Sequence, residues 1–121
     1  MTKYNESMKN IIVTKTRKQI NNLDSLPVYD RSLVDYKKYN KHVGHAGVKN
    51  SLAVQATRGC PYRCFYCDVY KTTVHHFRRS VDAIYDEVKM IADLGVKRIE
   101  FIDDIFNVKK KDFVEFFRRT K

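Results

Sequence analysis

All three cysteines of the 121-residue chain fall in one short run, Cys60-Pro61-Tyr62-Arg63-Cys64-Phe65-Tyr66-Cys67. No other feature restricts the fold as strongly. An odd number of cysteines, crowded together, is not a disulfide framework; it points to metal ligation in a reducing compartment. Three thiolates on one compact loop can hold three irons of a cubane and leave the fourth iron open. A closed electron-transfer cluster needs a fourth cysteine, and an open iron is a place where a substrate can bind. Cys60, Cys64 and Cys67 are therefore the candidate metal ligands. Gly59 permits a positive φ before the first ligand, and Pro61 stiffens the turn after it. Phe65 and Tyr66 add aromatic shielding that limits water around a cluster. A rival set joins the same cysteines to His75 or His76 as a Cys3His zinc site, in a basic module that binds nucleic acid.

The hydrophobic pattern is sharpest after residue 50. Ser51–Thr57 (SLAVQAT) predicts a short strand, and Arg58–Tyr70 a loop around the cysteines. Ser80–Leu94 predicts a helix, with Val81, Ile84, Tyr85, Val88, Ile91 and Leu94 on one buried face. Ser80 is its expected cap and Gly95 its left-handed stop. Lys97–Asp103 (KRIEFID) alternates as a second strand. A last helix runs from an Asn107 cap through Arg119, burying Phe113, Phe116 and Phe117. Lysines at its start oppose the helix dipole and blur its beginning. Strand, helix, strand, helix is the unit of a parallel sheet with crossovers. The expected fold class is α/β: two βα units, with an irregular N-terminal connector. Residues 1–50 form the lead-in and connector, and residues 51–121 the core. Within the former, IIVTKTRKQI reads equally as a short strand or helix, Leu23–Pro27 is a turn, and His42–Gly47 is loop-like.

Hydrophobic residues make up 43% of the chain, enough for a core. The net charge of +10 invites a nucleic-acid or anionic-membrane partner. Its distribution argues otherwise. Residues 1–50 carry ten Lys and Arg against four Asp and Glu, whereas residues 51–121 carry fourteen against ten. A solvated basic face, mainly in the amino-terminal half, is the expectation, and not a dedicated nucleic-acid site. No apolar run nears the roughly 20 residues of a membrane span, and the start lacks a secretory h-region. Cytoplasm is the expected compartment, with no membrane partner.

The cysteine run resembles the signature of the radical SAM superfamily, CxxxCxxC with an aromatic residue directly before the last cysteine, here Tyr66. The resemblance implies that the loop follows the first strand of a partial (βα)6 barrel. It implies a 4Fe-4S cluster on Cys60, Cys64 and Cys67, whose fourth iron chelates S-adenosylmethionine. One electron, from a donor such as flavodoxin or ferredoxin, then cleaves that cofactor and yields a 5′-deoxyadenosyl radical that abstracts hydrogen from a substrate. Tyr66, Asp103 and Asp104 are the implied cofactor-binding residues. The aspartates end a predicted strand, where ligands bind in such barrels. A carboxylate there can accept hydrogen bonds from the ammonium of S-adenosylmethionine. The alternative is an Asp pair that caps a turn.

A finer resemblance is to the branch with a cobalamin-binding domain ahead of the barrel. Leu23-Asp24-Ser25-Leu26-Pro27, Arg58-Gly59-Cys60-Pro61, Arg79-Ser80 and Asp103-Asp104-Ile105-Phe106 carry it. The chain departs from it in having Phe77-Arg78-Arg79-Ser80 where Arg-x-Arg-Ser is usual. Asn40–His45 lacks the Asp and the Gly of the cobalamin-ligand motif, so His42 and His45 read as ordinary loop residues. Cobalamin is expected only with an upstream domain. A full barrel needs about 250 residues, so the chain is expected to be a fragment, with the rest of the barrel supplied in cis or as a separate chain.

Overall fold

The computed structural model describes residues 2–5, 10–41, 49–73 and 75–121. His42 and His45 lie outside the described residues. Two strands open the chain, β1 (Thr2–Asn5) and β2 (Asn10–Val13), paired antiparallel. The ambiguous run after Asn10 is thus strand as far as Val13, and residues 14–22 follow without regular structure.

The core is a βαβ unit. Strand β3 (Ser51–Val54) pairs in parallel with β6 (Arg98–Phe101), with Ser51 opposite Arg98 and Val54 opposite Phe101. Helix α2 (Val81–Asp93) makes the crossover, and α3 (Lys110–Arg119) follows β6. These are the two βα units expected. Between β3 and α2 the chain forms a two-residue hairpin, β4 (Thr57–Arg58) with β5 (Phe77–Arg78), and a single helical turn, α1 (Val69–Thr72). The cysteine loop sits inside that hairpin.

Helix α2 begins as its sequence dictates. Ser80 Oγ accepts from the Ala83 N–H at 3.1 Å, and Gly95 takes a φ of +75° after the last turn. Ile84 is buried in one cluster with Phe116 and Ala56, and Ile91 is buried two turns further along α2, so one apolar stripe of α2 and one of α3 close over the sheet. Phe101 stacks on Phe106 at 4.4 Å between ring centroids and meets Phe116 edge-on at 5.5 Å. Such aromatic pairs add about 1 kcal/mol each beyond the area they bury.

Three expectations change. Leu94 is exposed at the end of α2 instead of closing its buried stripe. Helix α3 starts at Lys110, with Lys109 and not Asn107 at the cap position, and no side chain bonds the free amides there. Asp112 supplies the negative charge in that first turn and pairs with Lys109 at 3.6 Å and with Arg78 Nε at 3.4 Å. Of its three phenylalanines only Phe116 is fully buried, while Phe117 is 43% exposed.

The connector is bound to this core. Leu23–Ser25 forms a 3-10 turn with Leu23 buried, and the Asp24 carboxylate accepts from the Ser80 N–H at 3.0 and 3.1 Å. A carboxylate at a helix amino terminus is stabilised by the peptide dipoles. Arg31 and Arg79 complete the attachment. Val54 C=O faces β6, accepting from Ile102 N–H at 3.1 Å, so Ala53 and Gln55 turn their carbonyls the other way. Arg31 donates to Ala53 C=O and Arg79 to Gln55 C=O, both at 3.2 Å. Both guanidinium groups also pair with Glu87 of α2, a carboxylate only 2% exposed. The outer edge of β3 is therefore covered by side chains whose charge is balanced underneath.

Candidate metal centre at the cysteine loop

The loop is held where it leaves the sheet. Asp103, just beyond β6, turns one carboxylate oxygen back across to the end of β3. That oxygen accepts from Ala56 N–H at 2.9 Å, from Thr57 Oγ1 at 2.8 Å and from Thr57 N–H. Thr57 is fully buried. These bonds end the strand early: Ser51–Thr57 does not continue as one strand, because the amides of residues 56 and 57 are given to a carboxylate. Two residues later Gly59 adopts a φ of +83°. A Cβ there would stand 2.6 Å from Thr73 Cγ2 and closer still to the His75 carbonyl oxygen. The glycine thus lets the two arms of the hairpin close immediately before Cys60.

Beyond Gly59 the loop turns outward. Cys60 and Cys67 are half-buried and Cys64 is exposed, and all three are free thiols. One backbone hydrogen bond lies within the run, from Cys67 N–H to Cys64 C=O at 3.0 Å. Tyr66 is 78% and Phe65 97% exposed, with their rings edge-on at 5.1 Å. The expected shielding is not made by these two rings within the loop itself; they project from it. Among the described residues no group of three His, Cys, Asp or Glu is gathered closely enough to hold a metal ion. The donor set nevertheless fits an iron–sulfur cluster: three soft thiols, none in a disulfide, on one loop with little internal bonding to oppose their convergence. His75 is exposed, and His76 is half-buried with Nε2 lacking a partner; neither is gathered with the cysteines into a Cys3His set.

The two aspartates separate. Asp103 spends Oδ1 on the amides of Ala56 and Thr57 across the sheet, while its Oδ2 is buried without a partner among the described residues. Asp104 is exposed. Sequence reasoning missed Glu100, which is partly buried with one oxygen unpartnered. Alternation along β6 puts it on the face opposite Phe101, away from the helices. Arg58, named by sequence reasoning only within Arg58-Gly59-Cys60-Pro61 and read as loop, is half-buried in β4. The signal for Glu100 was the strand alternation itself.

Fold and site together define an α/β protein with a three-thiol loop at the carboxyl end of the first strand of a parallel pair. Residues 54–121 match the model of the radical SAM superfamily. The chain belongs to that superfamily, whose members in general work with a 4Fe-4S cluster and S-adenosylmethionine. It is 31% identical over 107 residues to an uncharacterized methyltransferase of Pyrococcus horikoshii, covering 87% of this chain and 22% of the relative. It is 38% identical over 61 residues to the tRNA-2-methylthio-N(6)-dimethylallyladenosine synthase of Akkermansia muciniphila, covering 50% of this chain and 13% of the relative. The synthase of the same name from Aquifex aeolicus is 31% identical over 93 residues, 75% of this chain and 19% of the relative. The chain thus spans about a fifth or less of the length of these curated relatives.

Proposed function

We propose that this chain carries the cluster and cofactor site of a radical SAM enzyme, with Cys60, Cys64 and Cys67 as the iron ligands. The observation that carries the proposal is the placement of three free thiols on one loop, directly after a strand end fixed by Asp103. The cluster, when bound, supplies the electron that cleaves S-adenosylmethionine to a 5′-deoxyadenosyl radical. The chain's own residues hold and enclose. Asp103 Oδ1 and Gly59 set the direction in which Cys60 leaves the sheet. Asp103 Oδ2, which lacks a donor, and the exposed Asp104 are the acceptors offered to the cofactor ammonium. Tyr66 flanks the last ligand and presents an aromatic surface to the cofactor.

The reaction class we propose is methyl or methylthio transfer, because the relatives carry those activities in their names. The electron comes from a flavodoxin- or ferredoxin-type donor, and cobalamin takes part only if a corresponding domain accompanies the barrel. Among the described residues no helix is long and apolar enough to cross a membrane, and we place the protein in the cytoplasm, where thiols stay reduced.

Anaerobic reconstitution with iron and sulfide tests the proposal. The expected product is brown and holds about four irons per chain, since three thiolates and one open iron make a cubane. Cys60→Ala, Cys64→Ala and Cys67→Ala each abolish it. Tight uptake of one zinc with no iron would overturn the proposal in favour of the zinc module.

A further inference from the structure

Beside the cysteine loop, residues 17–21 of the lead-in face the β4–β5 hairpin across an open groove. Two adjoining cavities make it up. One, of about 310 Å³, is lined by Arg17, Lys18, Arg58 and Phe77 among others. The other, of about 520 Å³, shares Lys18, Gln19 and Phe77 and extends to His75. That size is in the range of small-ligand sites. Among the described residues no acidic residue lines either cavity. Residues 13–22 contain Lys15, Arg17 and Lys18 and no Asp or Glu, so no carboxylate of this segment neutralises them.

The cations here differ from the other arginines near the core. Arg31, Arg78 and Arg79 all have carboxylate partners. Arg58 is half-buried, lies between the sheet and Cys60, and its guanidinium makes no hydrogen bond or ion pair with any described residue. Arg17 and Lys18 likewise have none. A half-buried guanidinium without an anion is costly unless water or a ligand meets it. At the same groove the Phe77 ring lies partly open, edge-on to His75 at 5.9 Å. Cations without a carboxylate partner among the described residues and an aromatic surface in one groove match the two halves of a nucleotide, a phosphate and a planar base.

We propose that this groove binds a nucleotide unit, its phosphate held by Arg58, Arg17 and Lys18 and its base laid against Phe77. The site does not involve the cysteines, so the proposal stands apart from cluster assembly. It also redraws the charge expectation: part of the basic excess is a lined site and not a solvated face.

The test is fluorescence anisotropy of a fluorescein-labelled single-stranded RNA hexamer with the 121-residue chain, without iron, at 0.15 M salt. AMP and inorganic phosphate serve as competitors. The expected result is saturable binding with a log–log salt slope of about −2, since three cations on a single strand each contribute about −0.7. Arg58→Ala weakens binding about tenfold and lowers the slope by about 0.7, and Arg58→Lys restores most of both. Phe77→Leu weakens it about tenfold with the slope unchanged, because stacking carries no counterion release. Competition by AMP identifies a free nucleotide as sufficient ligand; displacement by unlabelled hexamer alone identifies a strand. Lys18→Ala, at an exposed position outside the core, gives the same readout if Arg58→Ala fails to fold. Lys89→Ala, on exposed α2 surface, is the control. Binding unaffected by Arg58, Lys18 and Phe77 replacements, or competition by phosphate as effective as by AMP, would overturn the proposal.

Discussion

At the scale of single residues, the cysteine loop depends on two positions that carry no metal chemistry. Asp103 satisfies the buried amides of Ala56 and Thr57 with one oxygen. Asp103→Ala leaves those donors bare, at about 1–3 kcal/mol for each buried unsatisfied group. The expected outcome is a fall in denaturant midpoint together with a fall in iron bound per chain. Asp103→Asn keeps an acceptor and loses less of both, and Asp104→Ala, on the surface, stays within about 0.5 kcal/mol of the parent. Equal effects at Asp103 and Asp104 would contradict the geometry. Gly59→Ala is the second case. Its positive φ and the contacts with Thr73 and His75 predict a loss above the ~1 kcal/mol expected of a left-handed glycine alone. Gly95→Ala, with nothing near its Cβ, costs about that baseline. Chemical unfolding of the two variants compares them, and only Gly59→Ala is expected to lower iron uptake.

At the scale of elements, α2 was the most legible part of the sequence. Its apolar spacing, Ser80 cap and Gly95 stop all lie within the segment and act locally. The division of Ser51–Thr57 into a strand and a hairpin arm was not legible, because the cause is Asp103, 46 and 47 residues away. Glu87 was not legible either. It stands three residues after Ile84 on the buried side of α2, and only the distant Arg31 and nearby Arg79 make that position tolerable for a carboxylate. This arrangement yields a prediction. Glu87→Ala leaves two guanidinium groups without their anion and costs about 3–5 kcal/mol, the usual consequence of breaking a buried ion pair from one side. Arg31→Ala costs less, because Arg79 still neutralises Glu87, but it frees the connector. Limited proteolysis is expected to cut residues 14–34 faster in that variant while α2 keeps its protection against hydrogen exchange. Unchanged cleavage would show that Leu23 and Asp24 hold the connector without Arg31.

At the scale of the whole molecule, the parallel β3–β6 sheet has two strands, with helices on one face only. The opposite face carries Glu100 and the exposed Ile102. Parallel sheets are ordinarily covered on both faces, and radical chemistry needs enclosure from solvent. We therefore expect the isolated 121-residue chain to bind iron yet to release 5′-deoxyadenosine from S-adenosylmethionine no faster than a no-substrate background under reducing conditions. Sustained, substrate-stimulated release would show that enclosure is achieved by other means. The class of fold was legible at this scale from element order. The groove was not legible, because it forms only when residues 17–21 lie against a hairpin more than thirty residues later.

The covered edge of β3 has a consequence for how copies of this chain meet. A strand edge recruits other chains through its free amides and carbonyls. Here the carbonyls of Ala53 and Gln55 are already bonded to guanidinium groups, so of the two edges of the β3–β6 sheet that of β6 is the one left without such a cover among the described residues. A filament needs two such edges on every copy, one to receive and one to extend. With one, association through the sheet ends when two β6 strands have met. Association through the β3–β6 sheet should therefore give dimers by light scattering and not a growing series, and fibrils built on that sheet should become accessible only once Arg31 and Arg79 are replaced together.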